Sequence, residues 1–351
     1  MTIMIVLAGL IALAAVGGIL RKRALTVYSF SFAVIVALLW AVFGASPAMF
    51  LVHAALLLAI FAASSLAFRE VLGFVLPERH SRTIRKAPLT AAFGMLVISI
   101  YAVSGIFAPF IAPFGEAEIV ASAFSPADDK LLFGADQLGR DIFSRVIFGA
   151  RNSVGIALAA TVLAFLVGAL AGLAGAVHGR FLDLLLGRSV DFLMSIPSLI
   201  FALLMLSIFG TSILSIVVVI AVIYSPRVYR LTRAVAGNVV VMDFVEASKL
   251  RGEGSWYIVR RDVLPNITAP LVAEFGLEFC FVFLLVAGLS FLGLGVQPPT
   301  ADWGAMVREN ATLISFGEFT PLIPAVAISL LAVAVNFVVD WMLHQSSGLK
   351  D

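Results

Sequence analysis

Charged side chains are scarce in this sequence, so the places where they gather carry most of its chemistry. One is residues 246–266, EASKLRGEGSWYIVRRDVLPN, a charged and glycine-broken island between two long apolar runs. Its charges have both signs: Asp243, Glu246, Lys249, Arg251, Glu253, Arg260, Arg261 and Asp262, around an apolar centre of Trp256, Tyr257, Ile258 and Val259. Such a surface suits protein docking. It suits equally a solvated loop with Trp256 at headgroup level, and residue types alone leave the two readings level. Another gathering is residues 133–153, FGADQLGRDIFSRVIFGARNS, where Asp136, Arg140, Asp141, Arg145 and Arg151 can pair with one another and Gly134 and Gly139 permit tight turns. A salt-bridged segment leading into a span is the simpler reading; direct substrate contact is the sharper one. Finally, Glu274 and Glu278 stand four apart on one helical face inside an apolar run. Carboxylates in a membrane are costly and face a cavity or a partner. The pair either lines a path that favours cationic or peptide-amine substrates, or Glu274 sits near the interface, within about two turns of Pro265, against lipid headgroups or a basic neighbour.

Other chemistry is poorly provided for. His53, His80, His178 and His344 are scattered, and the single cysteine, Cys280, lies in an apolar run, so no metal site is expected. No G-x-x-x-x-G-K-[ST] sequence occurs, so no P-loop is available for ATP. No convergent His, Ser and carboxylate set supports a membrane enzyme. The net charge of +2 gives no broad nucleic-acid footprint.

The elements that position these groups are set by lipid. The chain is 62% hydrophobic and 13% charged, against roughly 45–50% and 25% in soluble domains. Apolar runs fall at about 2–20, 27–45, 49–68, 88–112, 153–177, 192–210, 212–232, 266–293 and 321–343, each long enough to span a bilayer core of about 30 Å. The expectation is an all-α polytopic membrane protein with about nine spans. The first run lacks a basic leader, with Arg21, Lys22 and Arg23 following it, and reads as a retained span. Basic residues at 21–23 and at Arg69, Arg79, Arg82, Arg85 and Lys86 belong inside, which puts the N-terminus outside. Residues 1–68 form an accessory membrane module of about three spans, 69–87 a cytoplasmic basic linker, and 88–345 the main six-span domain. Gly168 and Gly172, echoed by Gly175 and Gly179, have the spacing of close helix packing. Residues 178–192 read as a short cytoplasmic turn, and Pro197 as the start of a span or a kink. Arg227, Arg230 and Arg233, on one helical face, read as membrane anchors or as partner contacts. Within the island, a helix through Leu250 breaks at Gly252 and Gly254, and a second helix from Trp256 to Val263 ends at Leu264 and Pro265.

The island resembles the EAA motif of bacterial ABC importer permeases: EAA, three residues, Gly, nine residues, Ile, one residue, Leu-Pro. Glu246, Ala247, Gly252, Leu264 and Pro265 match at full spacing, while Ser248 replaces the second Ala and Asp262 the Ile. Residues 134–153, VDFLMSIPSL at 190–199, SFLGLGVQPPTADWGAM at 290–306, and Asn336 with Asp340 are similar to the C-type permease of dipeptide, oligopeptide and nickel importers. Residues 1–87 lie outside the likeness, and the usual Arg-Asp-rich ending is missing after Trp341.

The resemblance implies a type I importer permease core in the bacterial inner membrane, with a cytoplasmic C-terminus, forming a heterodimer with a second permease. Two cytoplasmic ATPases would carry ATP and Mg, and an extracytoplasmic solute-binding protein would deliver substrate. Glu246 would pair with a basic ATPase residue, Gly252 would set the turn, and Trp256 to Val259 would fill the ATPase groove. The chain itself would bind no cofactor and catalyse nothing. Di- or oligopeptides are the expected cargo, with nickel chelates, an opine or a glycoside as alternatives. A self-sufficient secondary transporter would need paired half-helices and an inverted repeat, which the sequence lacks.

Overall fold

The computed structural model describes residues 47–75, 77–178 and 180–346. The expected spans at 2–20 and 27–45 lie outside the described residues. The chain divides into two compact units, Met1–Arg85 and Lys86–Asp351.

In the first unit, α1 runs Pro47–Val75 and α2 runs Glu78–Arg85. The span expected to end at 68 therefore continues to Val75, and most of the stretch read as a linker is helical. The Ser81 hydroxyl and the Arg85 guanidinium both donate to the carbonyl of Gly73, at 2.5 and 3.4 Å. Donors further along the chain thus satisfy a carbonyl near the end of α1, where the helical ladder runs out.

The second unit is built from α3 (Leu89–Ile106), the short α4 (Ala108–Ile111), α5 (Ile142–Val177), α6 (Arg180–Met194), α7 (Ser198–Phe209), α8 (Ile213–Val240), α9 (Asp243–Leu250), α10 (Ser255–Phe291), α11 (Trp303–Asn310) and α12 (Leu322–Ser346). Five of these are long and apolar enough to cross a membrane, and α6 with α7, bent by 87°, makes a sixth if the pair is one span. Six is the number read from the sequence for this region.

Helix boundaries depart from expectation for local reasons. α5 begins eleven residues before the expected Ser153 because the Asp141 carboxylate caps it, accepting from the Ser144 N–H at 2.8 Å. The segment 178–192, expected as a turn, is mostly the 15-residue helix α6. Its Asp183 and Asp191 carboxylates are matched by Arg233 and Arg230 of α8. Two of the arginines read as anchors are thus tied within the chain. Pro197 stands as N-cap of α7, at the bend.

α5 and α8 pack along their length, and α3 and α10 both pack against α12. A Cβ on Gly168 would come 2.5 Å from the Ser225 carbonyl oxygen, and one on Gly172 would come 2.9 Å from that of Tyr229. Their spacing is therefore used for backbone approach, as the sequence implied; Gly179 lies outside the described residues. The core centres on Trp303, fully buried beside Tyr101 and Phe283 at ring centroid distances of 5.2 and 6.2 Å. Its indole N–H donates to the Val146 carbonyl at 2.9 Å.

Candidate functional site

The island folds into a corner. α8 ends at Val240, Met242 is extended, and α9 restarts with Asp243 and Glu246 in its first turn and Lys249 in its last. That charge order complements the helix dipole. Gly252 follows with φ +81°; its N–H donates to the Lys249 carbonyl at 2.9 Å, and the Glu253 N–H reaches the Ser248 carbonyl at 3.2 Å. This pair of bonds is a Schellman termination, which needs a left-handed residue at the Gly252 position.

Ser248, the departure from the Ala of the motif, is buried; its hydroxyl bonds back to the Phe244 carbonyl at 3.2 Å and accepts from Arg251 at 2.7 Å. The second helix does not end at Leu264 and Pro265 as expected. It runs from Ser255 to Phe291 without a break, through a π-turn at Ile258–Val263. The wide turn lies just before Pro265, where the proline ring would otherwise crowd the helix. The Asp262 carbonyl accepts from the Asn266 side chain at 2.6 Å.

The corner has two faces. Inward, Val245, Ile258, Val259, Val263, Ile267 and Leu271 pack with Leu173, Ala236 and Val239. Ile258 and Val259 are thus part of this chain's own core, and the expectation that they fill a partner's groove is corrected. Outward, Glu246, Ala247, Gly252, Leu264 and Pro265 are exposed, Trp256 is 70% exposed and Tyr257 36%. The aromatic ridge is rimmed by Lys249, Arg251, Arg260 and Arg261, all exposed.

Beyond the other end of α10 the polar groups are closed in. Gly139 turns the chain at φ +76° with no room for a Cβ beside the Ala121 carbonyl. Arg140 pairs with Asp136 at 2.7 Å and with Glu309 of α11 at 3.2 Å; Arg145 pairs with the same two carboxylates at 3.3 and 3.7 Å. Arg145 also donates to the carbonyls of Glu116 and Pro299, at 2.8 and 3.2 Å.

A second set of bonds runs alongside. The Glu116 carboxylate accepts from Asn152 at 3.1 Å and from the Ala301 N–H at 2.9 Å. Ser153 donates to Asp302 at 2.8 Å and accepts from the Trp303 N–H at 3.0 Å. Asp141 is buried as a helix cap, while Arg151 is exposed and makes no ion pair among the described residues. The segment is therefore salt-bridged, with Arg151 outside the network. Glu116, Ser153, Asp302 and Glu309 were not singled out from sequence. Asp302 alone carried a local signal, an Asp just before a helix, where it caps Ala305 at 3.0 Å.

Glu274 stands nine residues after Pro265 on α10, about two and a half turns from the corner. Glu278 is 2% exposed, Glu274 is half-buried, and Arg227 of α8 is the cation whose field reaches both.

Among the described residues, a helical bundle with five or six candidate spans and a polar corner has the make-up of a multi-pass membrane protein. Residues 164–346 match the family model described as binding-protein-dependent transport system inner membrane component, and the chain belongs to that family. It is a permease subunit of a binding-protein-dependent ABC importer, and the resemblance read from the EAA spacing is upheld.

Relatives include the di/tripeptide transport system permease protein DppC of Pseudomonas aeruginosa, 34% identical over 265 residues, covering 74% of this chain and 85% of that one. The dipeptide transport system permease proteins DppC of Alkalihalophilus pseudofirmus and Haemophilus influenzae are 31% and 33% identical, covering 79% and 74% of this chain and 89% and 88% of theirs. A solved amino acid ABC transporter with histidines aligns over 58% of this chain and 94% of that chain, at 20% identity and a TM-score of 0.42.

Proposed function

We propose that this chain forms half of the translocation path of an importer for di- or oligopeptides, and that its corner at residues 246–266 receives a cytoplasmic ATPase. The observation that carries the docking reading is Trp256, 70% exposed at a corner whose other face is tightly packed. A large aromatic left in solvent, rimmed by charge and backed by a rigid cluster, has the make-up of an interface anchor. Glu246 then meets a basic ATPase residue, Gly252 sets the turn, and Trp256 and Tyr257 enter the groove. Ala247, Leu264 and Pro265 complete the surface. The peptide cargo is supported by the printed names of the DppC relatives.

In this reading a second permease completes the path as a heterodimer. Two ATPases bind ATP and Mg and supply the free energy through their differential affinity for two states of the bundle, and a solute-binding protein delivers cargo. The corner and the C-terminus lie in the cytoplasm, the network around Arg145 faces outward with the N-terminus, and residues 1–68 are an accessory module joined through 69–87. The test is co-purification. Glu246→Arg and Gly252→Pro are expected to lose the ATPase while the permease pair stays intact; retained ATPase and retained uptake would refute the docking surface. Mass spectrometry of the ligand carried by the cognate binding protein tests the cargo, and a non-peptide there would overturn it.

A further inference from the structure

α6 runs across the direction of α7, bent from it by 87°, and carries two kinds of surface. Phe181, Leu184, Leu185 and Phe192 recur at helical spacing and are all exposed, Phe181 by 84%. The side next to them is polar. Asp183 pairs with Arg233 of α8 and accepts from the Tyr229 hydroxyl at 3.3 Å, and Asp191 pairs with Arg230 at 2.6 Å. These bonds fix the height of α6 in the bundle. Arg230 and Arg233 stand about 25 and 30 Å along the helix axis from Ile213, the first residue of α8. That is about one hydrocarbon thickness, so α6 is held where α8 leaves the apolar layer, on the side of the corner.

Two grooves meet on this helix. One, of about 360 Å³, is lined by Asp183, Arg188, Asp191, Tyr229, Arg230 and Arg233, with Leu184 at its edge. The other, of about 430 Å³, is lined by Phe181, Leu184, Leu185 and Arg188. Leu184 and Arg188 belong to both, so the polar groove opens directly onto the apolar one. The charges of the polar groove do not cancel, since three arginines meet two carboxylates there. Asp183 and Asp191 are each engaged by an arginine of α8. Arg188 is exposed and makes no ion pair among the described residues. A guanidinium left open in this way is a ready partner for phosphate oxygens, which its planar fork matches.

We propose that α6 is an interfacial helix that holds an anionic phospholipid: the phosphate sits on Arg188 in the polar groove, and an acyl chain lies along Phe181, Leu184 and Leu185. Arg230 and Arg233 add their field to the headgroup end. A zwitterionic lipid fits the apolar groove as well, but it brings a further cation to a groove already in surplus, and so the site selects for negative charge. The lie of the helix favours lipid over a protein partner. An arginine beside exposed phenylalanine and leucine, on a helix turned across the span, is the make-up of a helix seated in the bilayer interface.

The test uses the whole importer, with partner permease and ATPases, in liposomes of dioleoylphosphatidylcholine. The probe is a trace of phosphatidylglycerol with a photoactivatable diazirine in one acyl chain, and a phosphatidylcholine with the same chains is the control. After illumination, peptide mass spectrometry locates the lipid adducts. Adducts on α6 are expected, about fivefold more abundant with the phosphatidylglycerol probe than with the control. Arg188→Ala is expected to bring phosphatidylglycerol labelling of α6 down about fivefold, to the level of the control, while Arg188→Lys, which keeps the charge, stays within about twofold of the parent. Equal labelling by the two probes overturns the site, as does labelling that Arg188→Ala leaves unchanged. An α6 free of adducts overturns it too, and if Arg188→Ala at the same time releases the second permease, the face belongs to that subunit. Arg188→Lys as impaired as Arg188→Ala also overturns it, since charge is then not what the site reads.

Discussion

The two ends of α10 treat charge in opposite ways. At the Phe291 end, two arginines and three carboxylates are turned inward and answered by side chains from α5, α11 and the loop before α5. At the Ser255 end, Glu246, Lys249, Arg260 and Arg261 point into solvent around an exposed tryptophan. The first pattern spends its polar groups on holding this chain together. The second leaves them available for another. The difference teaches that charge density alone does not mark a docking surface; what separates the two ends is whether the chain itself supplies the partners.

The sharpest way to break this contrast is at Arg145, 1% exposed between Asp136 and Glu309. Arg145→Met leaves Asp136 and Glu309 to Arg140 alone and the carbonyls of Glu116 and Pro299 without their donor, and is expected to cost about 3–5 kcal/mol, seen as a large drop in thermal midpoint of the purified protein in detergent. Asp302→Ala removes the acceptor for Ser153 and the cap of α11; a loss of about 1–3 kcal/mol is expected in the same measurement. Trp256→Ala, at the open end, is expected to change stability by no more than about 0.5 kcal/mol while ATPase retention in a pull-down falls about tenfold. If Trp256→Ala destabilised the chain as much as Arg145→Met, the contrast would fail.

The smallest effect belongs to pH. The backbone N–H groups of Leu131 and Lys130 donate to the Asp128 carboxylate, at 2.7 and 2.8 Å, and hold its pKa below the ordinary 3.8. A depressed folded-state pKa contributes stability above the unfolded value, and this is lost as pH falls through the folded one. Asp128→Ala is therefore expected to flatten the melting profile slightly, and only below about pH 4.

How much of this was legible in the sequence depends on the range of the cause. The apolar runs located the spans because hydropathy is local, and the glycines at 168 and 172 announced a close approach by their spacing alone. The start of α5 is hidden in the sequence because residues 142–152 continue a long, mostly polar stretch, and Arg145 within it is buried. Its partners Glu309 and Pro299 lie more than 150 residues away, and no window along the chain reaches them. α6 reads as a turn in the sequence because its charges are local, while Arg230 and Arg233, which pair with its aspartates, come from another helix. At the corner, spacing fixed Gly252 as the turn, yet it could not say which of Trp256, Tyr257, Ile258 and Val259 face outward. That choice is made by the π-turn and by the cluster behind it, where Val245, Ala236 and Leu173 wait for Ile258 and Val259.

The glycines of α5 have a mechanical consequence. Helices that interlock through long side chains can slip, because each side chain can hop to another rotamer. At Gly168 and Gly172 the meeting surfaces are backbone, with the carbonyls of Ser225 and Tyr229 set where a side chain would begin, and backbone has no rotamers to exchange. α5 and α8 therefore behave as one beam. α9 follows that beam after only Val241 and Met242, and its Val245 is packed against Leu173, Ala236 and Val239, so the corner is seated directly on the end of the α5–α8 pair.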